Sequence, residues 1–115
     1  SNVRSAAISA LEEQIRESKD PKALQILEAS LNDEVETVQI EGIKLIGKLY
    51  RIESLIPILI SKLSNKSPEI RKASIVSIMQ LNINEALKPL KNLIDSEKEI
   101  YIKKIARLAI HKISE

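Results

Sequence analysis

The sequence predicts an all-α solenoid of stacked antiparallel helix pairs, and three observations carry that expectation. The first is a repeat at 32 residues: Val38, Gly42, Ile46 and Leu49 return as Ile70, Ser74, Ile78 and Leu81, then as Ile102, Ala106, Ile110 and Ile113. A period of this length, with helix-type spacing inside each unit, marks units that bury their faces against one another. The second is a parallel series: Leu24, Leu27 and Leu31, then Ile56, Leu59 and Leu63, then Leu87, Leu90 and Ile94. Spacing of i, i+3, i+7 places each trio on one helical stripe. The third is composition, 43% hydrophobic but only 2% aromatic, with two glycines and four prolines in 115 residues. The apolar mass is therefore Ile, Leu, Val and Ala, which fill helix–helix grooves, and little material remains for long loops or hairpins.

Each helix has its own signal. The first is expected over 2–18, with Ala7 and Ala10 as small residues placed for close approach. Asp20-Pro21 supplies an N-cap and a first-position proline for the second, over 21–31. Asp33 with Glu36 has capping-box spacing ahead of the third, over 34–50. Inside it, Gly42 costs about 0.5–1 kcal/mol relative to alanine, so it signals close packing, and Gly47 reads the same way. The fourth covers 53–64. Ser67-Pro68-Glu69 repeats the cap-and-proline signal for the fifth, over 68–81, with Ser74 and Ser77 at its small positions. Asn82 with Glu85 precedes the sixth, over 84–95. Ser96 with Glu99 precedes the seventh, over 98–113, where Ala106 and Ala109 are the small residues. These units divide the chain into repeats at 2–32, 33–65 and 66–96 and a final helix at 97–115, as one domain.

Charge and special residues narrow the function classes. The net charge of +2 predicts no strong attraction to polyanions. Residues 1–36 hold 4 basic and 8 acidic side chains (−4), and residues 37–115 hold 14 and 8 (+6), so end-to-end self-association is a possible use of the asymmetry. There is no cysteine, which excludes a disulfide framework and thiolate metal sites and fits an intracellular, cytoplasmic protein. The longest apolar run, Leu55 to Ile60, is far short of the ~20 residues of a membrane span. No signal-peptide pattern opens the sequence, and Ser1 and Asn2 carry no functional weight.

Val3-Arg4-Ser5-Ala6-Ala7-Ile8-Ser9-Ala10-Leu11 and Ile70-Arg71-Lys72-Ala73-Ser74-Ile75 open helices with an apolar-Arg pair followed by small and apolar residues. Asp20-Pro21-Lys22-Ala23-Leu24 and Leu31-Asn32-Asp33 supply a turn and a helix end of recognisable form. In these motifs the chain resembles HEAT repeats, in particular the short bacterial and archaeal type also called bilin-lyase-like. The resemblance spans nearly the whole chain and implies a right-handed solenoid used as a binding surface. It also implies a ladder of Asp and Arg between repeats. Here the Arg position is Gln39 in the second repeat and Lys103 in the last, and the loop Asp becomes Asn65 and Ser96, so the ladder is expected to be incomplete.

Candidate chemistry is sparse. His111, the lone histidine, reads as a solvated surface residue rather than a catalyst; no Gly-x-Ser-x-Gly elbow accompanies it. Glu12-Glu13 and Glu97 with Glu99 read as solvated charge rather than metal ligands. Two glycines cannot build a phosphate loop. No enzyme activity, metal or cofactor is expected. The cluster Lys103, Lys104, Arg107, His111 and Lys112 reads either as a stripe for an anion or acidic partner or as a polar cap. Arg107 favours the cap, because it aligns with Ile43 and Ile75, and Arg4, Glu12, Glu13 and Arg16 give the first helix a similarly polar outer side, as expected of a closed array. Lys62, Lys88 and Lys91 could line a groove for nucleic acid, but two tyrosines supply almost no stacking platform, and nucleic acid is disfavoured.

Two functions remain from these residues. The preferred one is a non-enzymatic scaffold that binds a protein or peptide on the surface of the second helices, with Gln25, Glu28, Lys62, Lys88, Lys91 and Asn92 exposed there. The alternative is an accessory or lyase-like subunit acting on a chromophore or metabolic enzyme, or a weak nucleic-acid module.

Overall fold

The computed structural model describes residues 2–18 and 21–115. The expected cap Asp20 and the side chain of Arg4 lie outside the described residues. Within them the chain forms α1 (Asn2–Ser18), α2 (Pro21–Ser30), α3 (Glu36–Lys48), α4 (Ile56–Ser61), α5 (Pro68–Leu81), α6 (Leu87–Ser96) and α7 (Ile100–Ser114), with no strand. Short 3-10 turns, Glu53–Leu55 and Lys62–Ser64, flank α4, and another, Asn84–Ala86, leads into α6. All seven sequence-derived helices are present, with boundaries displaced by a few residues.

The first helices form one layer, in which α3 packs between α1 and α5, and α5 between α3 and α7. The second helices α2, α4 and α6 return along the other layer. The thinnest extent of the molecule, 17 Å, fits two helix layers about 10 Å apart. Both predicted stripes are core: Val38, Ile46, Ile70, Ile78 and Ile102 on one series, Leu27, Leu31, Leu59, Leu63 and Leu90 on the other, are buried.

Small residues set the distance between neighbouring first helices. Ser74, Ser77, Ala106 and Ala109 are buried. The Ser77 hydroxyl donates to the Ile43 carbonyl on α3 at 2.7 Å, an interhelical bond that only a short side chain can make. Opposite it lies Gly47, where an added Cβ would stand 2.7 Å from Ser77 Oγ and 3.0 Å from Ser77 Cα. At Gly42 the obstruction is side chain alone, Ser30 Oγ and, at 3.3 Å, Leu31 Cδ2; at Gly47 it includes backbone. Gly47→Ala is therefore expected to be the more destabilising change. Overpacking of about 1–3 kcal/mol exceeds the ~1 kcal/mol gained from helix propensity, for a net loss on the order of 1 kcal/mol, read by urea unfolding. Ala7 and Ala10 depart from expectation: both are exposed, on a side of α1 that no other described helix covers.

Helix starts also correct the reading of the caps. Ser67 is the cap of α5, accepting from Ile70 N at 3.4 Å, with Pro68 behind it. Asp33 does not reach Glu36; its Oδ1 accepts from Val35 N at 2.8 Å in a local turn, and Val35 occupies the cap position. Asn82 ends α5 instead of starting α6, in the left-handed region at φ 55°, which asparagine tolerates. Ser96 belongs to the end of α6, its hydroxyl donating to Leu93 O, and Glu99 takes the cap of α7. Five residues separate α2 from α3 and three separate α6 from α7, and in both connections an acidic loop residue, Asp33 or Glu97, turns back on the backbone two positions on.

The two edges of the slab are tied differently. On the edge where the first helices begin, the loop residues Asp33, Asn65 and Glu97 recur at 32 residues and each accepts from the backbone N–H two positions on, at 2.8, 2.8 and 3.1 Å. Glu97, not Ser96, is thus the third loop residue. It is also a buried ion-pair partner and not solvated charge: its carboxylate takes Arg71 Nε at 2.7 Å and Nη2 at 2.8 Å, with 1% of its side chain exposed. Arg71 directs its Nη1 group to the Asn65 and Lys66 carbonyls. On the opposite edge, Arg51 grips Glu53 at 2.5 Å and also Glu85, 32 residues beyond Glu53, in open solvent. Those hydrogen bonds raise the Arg51 pKa and lower those of both carboxyls.

Candidate binding surface on the second helices

The face of the second helices is built from positions that the 32- and 31-residue offsets make equivalent. Gln25, Pro57 and Lys88 form one row, and Ala29, Ser61 and Asn92 another; all six are exposed. Glu28 and Lys91 are exposed as well, with the half-buried Ile60 between them. Each helix buries Leu27, Leu59 or Leu90 inward, so the residues two positions before and one or two positions after must face out. Five of the six sequence-derived positions (Gln25, Glu28, Lys88, Lys91 and Asn92) therefore share one exposed surface, acidic at the α2 end and basic at α6.

Lys62 is the exception. It sits in the 3-10 turn closing α4, half-buried, and its ammonium donates to the Leu31 carbonyl and to Gln39 Oε1, the latter at 3.1 Å. Gln39 in turn donates to the Asp33 carbonyl at 2.6 Å. Lys62 thus ties the second repeat to the first, where the resemblance led one to expect Arg and Asp. Burial lowers its pKa. A lysine this engaged is not available to a ligand on the open face, which also removes one of the three cations that a nucleic-acid groove would use.

Next to Asn92 lies a cleft of about 760 Å³ between α4 and α6. Ile60 and Pro89 give it an apolar wall, Ser61 and Asn92 a polar one, and Asn65 and Glu97 close the loop end. Sequence reasoning missed Pro57, Ser61 and the cleft; the same offsets that aligned the buried leucines would have aligned these exposed neighbours. The Arg71 guanidinium holds the Glu97 carboxyl below the ordinary carboxylate range, so this acid is ionised and fully engaged, unsuited to moving protons. Among the described residues no group of three or more His, Cys, Asp or Glu could hold a metal ion.

On α7, Lys104, Arg107, His111 and Lys112 are exposed and Lys103 is half-buried. Arg107 is exposed where its equivalents Ile43 and Ile75 are fully buried. His111 Nε2 lies 3.9 Å from Glu115 Oε1 one turn on, a solvated surface pair. On α1, Arg16 is not simply an outer-face charge: it pairs with Glu12 at 3.1 Å and donates to the Lys48 carbonyl, satisfying the C-terminus of α3. No described helix is long and apolar enough to cross a membrane.

The profile for HEAT repeats matches residues 31–111, well over half of the chain. No curated protein and no solved structure matches the sequence. With the repeat register, the two helix layers and the buried loop-to-helix ion pair already in place, the chain belongs to the HEAT repeat family, whose members generally mediate protein–protein interaction and are typically not enzymes.

Proposed function

We propose that this chain is a non-enzymatic scaffold, one binding unit of three repeats and a final helix, that takes a protein or peptide across the exposed rows of α2, α4 and α6. The observation that carries the reading is the row structure itself. Equivalent positions face solvent in every second helix, Gln25, Glu28, Lys88, Lys91 and Asn92 make no hydrogen bond or ion pair among the described residues, and the cleft beside Asn92 offers apolar and polar walls together. Interfaces of this kind gain specificity and association rate from complementary charge, so a partner with a basic end over Glu28 and an acidic end over Lys88 and Lys91 fits best.

The double variant Lys88→Glu/Lys91→Glu tests it. Both side chains are exposed, so the melting temperature should stay near that of the parent. Partners captured from native lysate on the parent chain should be retained about tenfold less by the variant. Retention of every partner at parental levels would remove this face from the function.

A further inference from the structure

The outer side of the first helices carries a second surface, distinct from the rows just described. A groove of about 300 Å³ runs between α3 and α5. Half-buried Ile40 and Val76 form its floor, and the exposed lysines Lys44, Lys48 and Lys72 rim it, against a single carboxylate, Glu69. Among the described residues no lysine of the three has an ion-pair partner; the Lys72 ammonium stands 6.0 Å over the Tyr101 ring. The 32-residue register carries the pattern onward, with Lys104 following Lys72 and Leu108, 57% exposed, following Val76.

We infer that this groove docks an acidic segment of a partner protein, one that presents an aliphatic side chain between carboxylates. Three uncompensated ammonium groups around one carboxylate favour an anionic ligand, and the apolar floor favours a side chain that can leave water. The groove follows α3 from 40 to 48 and α5 from 69 to 80, about 12–17 Å at 1.5 Å per residue. That length suits four or five extended residues at ~3.3–3.6 Å each. A nucleic-acid backbone would gain nothing from Ile40 and Val76, would meet Glu69, and would find one tyrosine on which to stack. A lipid surface is too flat to reach a recessed floor.

The probe is the acetylated, amidated peptide Glu-Glu-Leu-Glu-Glu, titrated into the isotope-labelled chain and followed by amide and methyl chemical shifts. Shifts should cluster at Ile40, Lys44, Lys72 and Val76, weaken with added salt, and require about tenfold more peptide in Lys44→Glu/Lys72→Glu or when the peptide leucine becomes glycine. Lys88→Glu/Lys91→Glu should leave the shifts at Ile40, Lys44, Lys72 and Val76 as in the parent, which separates this groove from the face of the second helices. Unshifted groove residues at millimolar peptide, unchanged binding by Lys44→Glu/Lys72→Glu, or preference of the groove for a short DNA duplex or phosphatidylserine vesicles would each overturn the inference.

Discussion

Leu59→Ala is expected to lower the unfolding free energy by about 2–5 kcal/mol, because it empties a fully buried position without letting the surroundings collapse. The site is unforgiving for a local reason. α4 has six α-helical residues between two 3-10 turns, far below the ~12 residues at which an isolated helix begins to hold, so packing alone keeps it in place. Leu59 sits in the middle of that packing, equivalent to Leu27 and Leu90 in the neighbouring second helices. A domain of this size has about 5–15 kcal/mol to lose, so the variant should melt on the order of 10 °C lower. Leu108→Ala, which truncates an exposed leucine, should leave the melting temperature nearly unchanged. Equal melting of parent and Leu59→Ala would show that the second layer is not a packed core.

The second large effect is at the Arg71–Glu97 pair. Removing Arg71 leaves a carboxylate with 1% side-chain exposure and no counter-charge, which should cost about 3–5 kcal/mol. Glu97→Ala strips the cation instead and also removes the acceptor of the Glu99 N–H. The double variant Arg71→Ala/Glu97→Ala should therefore lose less than the sum of the single changes, the signature of a coupled pair. The pH dependence has a definite sign. Arg71 depresses the folded-state pKa of Glu97, so the contribution is fully present above the unfolded carboxylate value of about 4.3 and is lost as pH falls through the lower folded value. Compared with Glu97→Gln by urea unfolding, the parent should be much the more stable at neutral pH, with the gap narrowing below about pH 4. A gap of constant size would mean that the carboxylate charge is irrelevant to the pair.

What was legible in the chain divides along physical lines. Helices repeat a hydrophobic period that any window of residues contains, so the two series of apolar positions identified six of the seven helices, α2 to α7, and their buried faces. Ser67-Pro68 was readable because a cap followed by proline is a contiguous signal. Asn82, Asp33 and Ser96 misled because their residue types suit several turn geometries, and the short connections, not the residues, select among them. Glu97 and Lys62 were opaque for a different reason. A charged side chain reads as solvated unless its partner is known, and Arg71 lies 26 residues away while Leu31 lies 31 residues away. The register could have exposed Glu97, since it stands 32 residues after Asn65. Nothing comparable marks Lys62, whose equivalent in the last repeat is the apolar Leu93. On the candidate surface, five positions followed from helical geometry alone, whereas the cleft and the outer groove depend on how far apart adjacent helices sit.

The contrast between the two edges has a mechanical consequence. Concentrated electrolyte weakens the solvent-bathed fork of Arg51 with Glu53 and Glu85 far more than the dehydrated Arg71–Glu97 clasp on the opposite side. The exposed fork joins the second repeat to the third, whereas the clasp joins the third to the final helix, so added salt should relax the first joint sooner than the second.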